Sequence, residues 1–360
     1  MKTTTSLLLM ITAVFCTKAA KEINIADYVE KYSKKNDHTV AFQKAFEEIG
    51  KKRNRSIYIP EGTYYLNETI SLNAVSSGEI YGKGYPEIVM KDSQKDIFDS
   101  DWAWKLKIEG LCFRGGRSQL VLGNNNIDQT NIIINNCRFR DAGEFAIKIK
   151  KRAVSSHIII DKCSFRNNMQ LLQNYSDWAK LSNSWVTTNP KMLDKAVIVN
   201  YGCLTLDHVL GVPLVAPKTK RDVAKQRWID NYGLKVTCRD SRFGGEGGGF
   251  PIVYNFRKYD LKYPVIPSAI VLDDCWVYCV TQPVIYCYEV PNRIFVTKCT
   301  GMVDAWVLQF SKDIDFKDLN SQSRKNHISI NFDGSNPVRK TKLPKVLKSR
   351  YTGPECEIIN

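Results

Sequence analysis

Asn131-Ile-Ile-Ile-Asn-Asn-Cys-Arg-Phe139 returns along the chain as His157-Ile-Ile-Ile-Asp-Lys-Cys-Ser-Phe165. It returns again as Ala269-Ile-Val-Leu-Asp-Asp-Cys-Trp276 and Asn292-Arg-Ile-Phe-Val-Thr-Lys-Cys-Thr300. Looser copies lie at Leu106–Phe113, Cys203–Leu210 and Leu234–Phe243. The phrase is an apolar-alternating strand followed by a polar turn, a Cys and an aromatic. Cys137 and Cys163 are 26 residues apart, and Cys275 and Cys299 are 24 apart. A period of about 25 residues built from short strands marks a repeat architecture. One such repeat cannot bury its own apolar side and must stack on its neighbours. The expected fold is therefore all-β: a single-stranded right-handed parallel β-helix, with the repeat running from about Trp104 to Phe310.

A solenoid needs a cap over its first open turn. Asp37-His-Thr-Val-Ala-Phe-Gln-Lys-Ala-Phe-Glu-Glu-Ile-Gly50 supplies a helix for that purpose. Asp37 suits the N-cap, and Val40, Ala41, Ala45, Phe46 and Ile49 form the apolar face. Gly50 closes the helix. Ser56–Leu66 then reads as strand, Pro-Glu-Gly turn, strand.

These residues carry a resemblance. Asp37-x-Thr-x-Ala-Phe-Gln-Lys-Ala, followed by a strand and Ile59-Pro-Glu-Gly-Thr-Tyr64, resembles the start of the pectate-lyase-like superfamily, in its pectate lyase and polygalacturonase-related branch. The likeness is good over Asp37–Leu72 and loose to about Phe332. It implies the β-helix fold. It does not select a reaction, because that superfamily holds lyases, hydrolases, epimerases and non-catalytic binders.

The expected organisation is a signal peptide over 1–20, a capped β-helix over 21–335 and a basic tail over 336–360. Met1-Lys2 is a basic start, Ser6–Cys16 an apolar stretch too short to span a membrane, and Thr17–Ala20 a small-residue cleavage region. A secreted, periplasmic or cell-surface location follows. The net charge of +15 falls to +13 without Lys2 and Lys18, so the exported protein stays basic. A basic exported protein suits an acidic polysaccharide rather than nucleic acid. Eleven Cys in an exported chain suggest disulfides, but their fixed place in the repeat reads as a buried thiol ladder. No paired CxxC supports a zinc site.

Two stretches interrupt the repeat on this reading: Asn174–Ala196 and the basic Val212–Gly233. The strands after each Cys turn are expected to share one face. With Ile147, Ile149, Val253, Ile285, Cys287 and Val307 inward, Lys148, Lys150, Tyr254, Phe256, Tyr286, Tyr288, Leu308 and Phe310 point outward. Such a stripe would bind sugar rings and acidic groups through Lys148, Lys150, Phe256, Tyr286 and Tyr288. The alternative is a stripe covered by a loop, the tail or a neighbouring subunit.

The expected catalytic residues are Glu246, Arg242, Tyr254 and Asp304. Glu246 sits in Gly244-Gly-Glu-Gly-Gly-Gly249, a turn whose missing side chains permit close ligand approach. Glu246 and Asp304 align two repeats apart, roughly 10 Å, at or just beyond the upper end for an inverting glycosidase pair. For β-elimination instead, Arg242 and Tyr254 would supply the charge neutraliser and the proton-transfer group, roles that the sequence does not divide between them. Of the polygalacturonase motifs only Asp273-Asp274 survives, and it occupies the ordinary repeat turn. His208, beside Asp207, reads as a surface turn residue. Trp228-Ile-Asp-Asn231 resembles a pectate lyase phrase without its His. Lyases of this fold often use Ca²⁺, but no acidic cluster is dense enough for a site, so no cofactor or metal is assigned. The leading function is cleavage of an acidic polysaccharide by β-elimination or hydrolysis. The alternatives are a non-catalytic glycan-binding adhesin and an oligomeric structural β-helix.

Overall fold

A computed structural model describes residues 22–50, 56–73, 77–101, 103–123, 129–151, 155–191, 194–212, 226–244, 250–256, 268–279, 282–303, 307–314, 327–333, 341–344, 347, 351–352 and 356–359. The stretch read as a signal peptide lies outside them. The chain forms a parallel β-helix built from a 22-stranded and a 10-stranded sheet. Every strand pairing in both is parallel; for example Ile134 pairs with Ile160 and Leu120 with Ile147. A typical turn of the helix contributes two strands to the larger sheet and one to the smaller.

The polar turn of the repeat is a one-residue corner between the two strands of the larger sheet. Gly110, Asn136, Lys162, Asn183, His208, Asp240, Asp274 and Lys298 occupy it, with φ from 42° to 67°. Left-handed backbone is sterically costly for most side chains, and Asn and Asp tolerate it best. Asp274 and His208 thus sit where ordinary turn residues were expected.

The residue after the corner turns inward. Cys137, Cys163, Cys275 and Cys299 are buried, free thiols there. Each Sγ–H donates to the carbonyl two residues back, at 3.2 Å for Cys137 and Cys163, 3.4 Å for Cys299 and 3.5 Å for Cys275. Ser184 and Ser241 fill the same place and make the same bond at 2.6 and 2.7 Å. After six of the eight corners the position thus holds a small donor, sulfur or oxygen, whereas the buried aliphatics Leu111 and Val209 fill it after Gly110 and His208. Two residues on, Phe113, Phe139 and Phe165 stack in the core with centroids 5.1 and 5.0 Å apart.

Two helices precede the first turn of the solenoid. α2, Thr39–Gly50, is the expected cap, and Asp37 Oδ1 accepts from the Thr39 amide at 3.0 Å. Its buried face is Ala41, Phe42, Ala45, Phe46 and Ile49; Val40, assigned inward by sequence, is exposed. α1, Ile25–Tyr32, was not anticipated, although Asn24 caps it and Ile25 is buried beneath it.

Three sequence expectations are corrected. Asn174–Ala196 is no interruption but a full turn, with Ala179–Ser182 and Trp185–Thr188 paired onto Ile158–Asp161 and Ser164–Asn168. Trp228-Ile-Asp-Asn231 is not part of a loop but lies in the strand Arg227–Asn231. Leu308 and Phe310 point inward, because Ile285 pairs with Leu308 and Cys287 with Phe310, leaving Gln309 outside. Beyond residue 335 the described residues include strands: Thr341–Pro344 pairs with Cys356–Ile359, and Tyr351–Thr352 adds to the larger sheet. No helix among the described residues is long and apolar enough to cross a membrane.

Candidate functional site on the ten-stranded sheet

The site begins with buried asparagines at the ends of four neighbouring strands. Asn174 Nδ2 donates to Asn200 Oδ1 at 2.7 Å. Asn200 donates to Asn231, and Asn231 to Asn255, each at 2.8 Å. The same Oδ1 atoms of Asn174, Asn200 and Asn231 accept from the amide two residues on, at 3.0, 3.3 and 3.2 Å. That local bond bends the chain out of the sheet. Gly202 follows one bend because a Cβ there would meet the Ser176 carbonyl oxygen at 1.8 Å.

Each buried Asn is followed by an aromatic residue held in strand-like register. The amides of Tyr201, Tyr232, Phe256 and Tyr288 donate to the carbonyls of Asn174, Asn200, Asn231 and Asn255 at 2.7 to 2.9 Å. The rings of Tyr175, Tyr201, Tyr232, Phe256 and Tyr288 consequently form one stacked column, with successive centroids 4.0, 5.0, 4.9 and 4.5 Å apart. The ring faces are used within the column, so it offers mainly edges and phenol oxygens to solvent. Burial and the Tyr201 hydroxyl push the Tyr175 phenol up to about 12. Burial also raises Tyr232 and Tyr288.

Beside this wall runs the outward column of the sheet. Asp230, Tyr254, Tyr286 and Gln309 are in register on four successive strands. Tyr254 and Tyr286 lie tilted, with centroids 5.3 Å apart, and each meets the Tyr288 ring at a steep angle. Tyr254 donates its hydroxyl to Gln282 Oε1 at 3.1 Å. Arg227 clamps Asp230 with two bonds of 2.5 and 2.7 Å and lies over the Tyr254 ring. Burial opposes the charge on Arg227, but the paired carboxylate outweighs it and holds the guanidinium protonated. The result is a tilted aromatic floor with neutral amides and an internally compensated ion pair.

The sequence-assigned residues divide across the molecule. Tyr254, Phe256, Tyr286 and Tyr288 come together on this face. Lys148 lies further along the same outward column, bonded to Glu144 at 2.7 and 2.9 Å. Lys150 lies just past the end of the same strand, Phe145–Ile149, and has its ammonium 4.0 Å from Asp99. Arg242 belongs to the other sheet, where its guanidinium lies 5.3 Å from the centre of the Trp276 ring. Glu246 and Asp304 lie outside the described residues. Tyr175, Tyr201, Tyr232, Asp230 and Arg227 were missed. The phrase Asn174-Tyr-Ser, Asn200-Tyr-Gly, Asn231-Tyr-Gly, Asn255-Phe would have found the column, since it recurs with the turns of the solenoid. Among the described residues no three His, Cys, Asp or Glu side chains gather for a metal.

No protein-family model matches the sequence, and no curated protein matches it. Among solved structures, the catalytic unit of a thermostable GH87 alpha-1,3-glucanase from Streptomyces thermodiastaticus is similar over 88% of this chain and 70% of that one, with a TM-score of 0.51 and 12% identity. The Agl-KA catalytic domain is similar over 94% of this chain and 68% of that one, with a TM-score of 0.45 and 10% identity. A protein of Escherichia coli, ybhc, is similar over 84% of this chain and 88% of that one, with a TM-score of 0.45 and 10% identity. At these identities the likeness to the glucanase is one of fold.

Proposed function

We propose that the protein is a secreted carbohydrate-active β-helix of the pectate-lyase-like kind, which holds a polysaccharide against the outer face of its ten-stranded sheet and hydrolyses it. The observation that carries this reading is the tilted Tyr254–Tyr286 floor beside the ring column ending at Tyr288. Tyr rings combine an apolar face with a hydroxyl, which matches the C–H faces and hydroxyls of a sugar. The Streptomyces protein of the same fold is itself a glucanase, which supports a glycan as ligand.

Hydrolysis is favoured over β-elimination by the placement of the cations. Arg242 stands on the other sheet, and Arg227 is committed to Asp230. By sequence, Glu246 precedes the strand Val253–Asn255 and Asp304 precedes Leu308–Phe310, strands separated by the single strand Ile285–Cys287. Two strand spacings are roughly 10 Å, at or just beyond the upper end of the separation for an inverting pair. A second reading, binding without cleavage, is favoured by one observation. The acids of the described outward face are already paired: Asp230 with Arg227, Glu144 with Lys148 and Asp99 with Lys150.

The test is incubation of the protein with a panel of neutral and acidic polysaccharides, following reducing ends and the ultraviolet absorbance of unsaturated uronates. New reducing ends that vanish in Glu246→Gln support hydrolysis. New absorbance overturns it in favour of elimination. Retention of a glycan without any cleavage selects the binding reading.

A further inference from the structure

The larger sheet carries a second surface of different chemistry. Arg114, Arg140 and Arg166 stand directly opposite one another on three adjacent parallel strands. Neighbouring strands are about 4.8 Å apart, and like charges facing each other across strands are destabilising. Phe113, Phe139 and Phe165 alternate with them and point inward, so the arginines are fixed on the outside. Arg114 is compensated by Glu87 at 3.1 Å. Among the described residues, Arg140 and Arg166 make no ion pair.

This row runs into an open groove of about 750 Å³. Its lining includes Arg138, Arg140, Lys162 and Arg166 and no carboxylate. Two features hold the groove in shape. The Arg138 guanidinium lies 3.6 Å from the centre of the Tyr85 ring, and the Tyr85 hydroxyl donates to Asn136 Oδ1 at 2.7 Å. At the far side Trp185 is 54% exposed, the most exposed large apolar side chain of the described residues. A row of like charges in which Glu87 relieves only Arg114 and no described acid pairs with Arg140 or Arg166 breaks the usual agreement between local and global stability, as functional sites do.

We propose that this groove binds an acidic polysaccharide, its carboxylate or sulfate groups lying along the solenoid axis across Arg140 and Arg166 and a sugar ring resting on Trp185. Guanidinium forks pair two-pronged with either anion. Single-stranded nucleic acid fits the groove less well. Its binding platforms present successive free rings, whereas here Trp185 is the one exposed ring and the Tyr85 face is covered by Arg138. The site is separate from the aromatic face of the ten-stranded sheet and does not depend on the function assigned to it.

The test uses the full chain and Arg140→Ser/Arg166→Ser, titrated with dextran sulfate, with polygalacturonate and with oligothymidylate at several salt concentrations. Affinity for at least one acidic glycan is expected to fall about tenfold or more in the double variant. The slope of log affinity against log salt should drop by about two, one for each lost cation. The glycan with the larger loss identifies the anion. Without any polyanion the variant should melt no lower than the parent, because the charge row is gone. Unchanged affinity for both glycans overturns the proposal, as does a lower melting temperature of the unliganded variant. Oligothymidylate binding tighter than either glycan, with the same loss, would replace it with a nucleic-acid site. Tyr254→Ala serves as the separate control for the aromatic face: its effect on neutral glycans must not follow that of the arginine variant.

Discussion

The Asn200 side-chain amide donates to Asn231 Oδ1 at 2.8 Å, one strand further along the solenoid, with both side chains buried. Asn200 also accepts from Asn174 and from the Gly202 amide and donates to the Gly202 and Lys235 carbonyls, so one side chain closes five contacts in the interior. Buried polar groups deprived of partners cost about 1–3 kcal/mol each, and networks fail together. Asn200→Ala is therefore expected to lower stability by about 2–4 kcal/mol, read as a lower urea midpoint at unchanged slope. A loss under about 0.5 kcal/mol would mean that the ladder is incidental to stability.

The inward position after the Lys162, Asn183 and Asp240 corners makes a different demand. Ser184 and Ser241 donate to the carbonyl two residues back as Cys163 does, and Ser184 Oγ also accepts from the Cys163 amide. Cys163→Ser should thus cost no more than about 1 kcal/mol, since donor and volume are nearly kept. Burial raises the Cys163 thiol well above its ordinary range, so it should resist thiol reagents until the protein unfolds. Fast labelling of the folded protein at Cys163, identified by mass spectrometry, would contradict the buried ladder.

These two ladders explain what the sequence revealed and what it hid. The turns around Cys137 and Cys163 were legible because inward Ile pairs alternate strictly before a Cys-x-Phe signal. The turn at Trp178–Thr188 was hidden because its inward residues, Ala179 and Leu181, are weaker and Ser184 replaces the Cys. Leu308 was misassigned because Trp306-Val-Leu308 is uniformly apolar and lacks alternation; only its pairing with Ile285 fixes the register. Phe256 and Tyr288 were found from strand alternation. Tyr201 and Tyr232 escaped because a buried Asn followed by Tyr-Gly looks like a polar turn. The row Arg114, Arg140, Arg166 becomes visible only once strands are in register, since its members lie a full turn of chain apart.

The Tyr175 and Tyr201 rings stack with centroids 4.0 Å apart and planes 4° from parallel. Burial first, and then the Tyr201 hydroxyl, raise the Tyr175 phenol to about 12. An unfolded Tyr ionises near 10, so between these values the native state holds a proton that the unfolded state has lost. The contribution is fully present below about pH 10 and is lost as pH rises through about 12. Urea midpoints should fall over that window for the parent and fall less for Tyr175→Phe. Parallel curves for the two proteins would show that the Tyr175 proton is not linked to folding.

Tyr254 and Tyr286 are the rings of the aromatic face that lie across the column rather than within it, with centroids 5.3 Å apart. Neither ring is sandwiched within the column, and the surface that Arg227 leaves uncovered on Tyr254, together with that of Tyr286, is what a sugar would meet, whereas Tyr175 spends a face on Tyr201. Removing such a ring takes away about 1–2 kcal/mol of contact, or roughly a 5- to 30-fold rise in Kd. Tyr254→Ala and Tyr286→Ala should each weaken retention of a neutral polysaccharide in affinity electrophoresis by that amount, with melting temperature as the check on folding. Tyr175→Phe should leave retention unchanged. Arg242→Ala is expected to behave like Tyr175→Phe, because Arg242 stacks on Trp276 of the other sheet despite standing only twelve positions before Tyr254. Loss of retention in Arg242→Ala, with Tyr254→Ala unaffected, would move the glycan from the ten-stranded sheet to the face bearing Trp276.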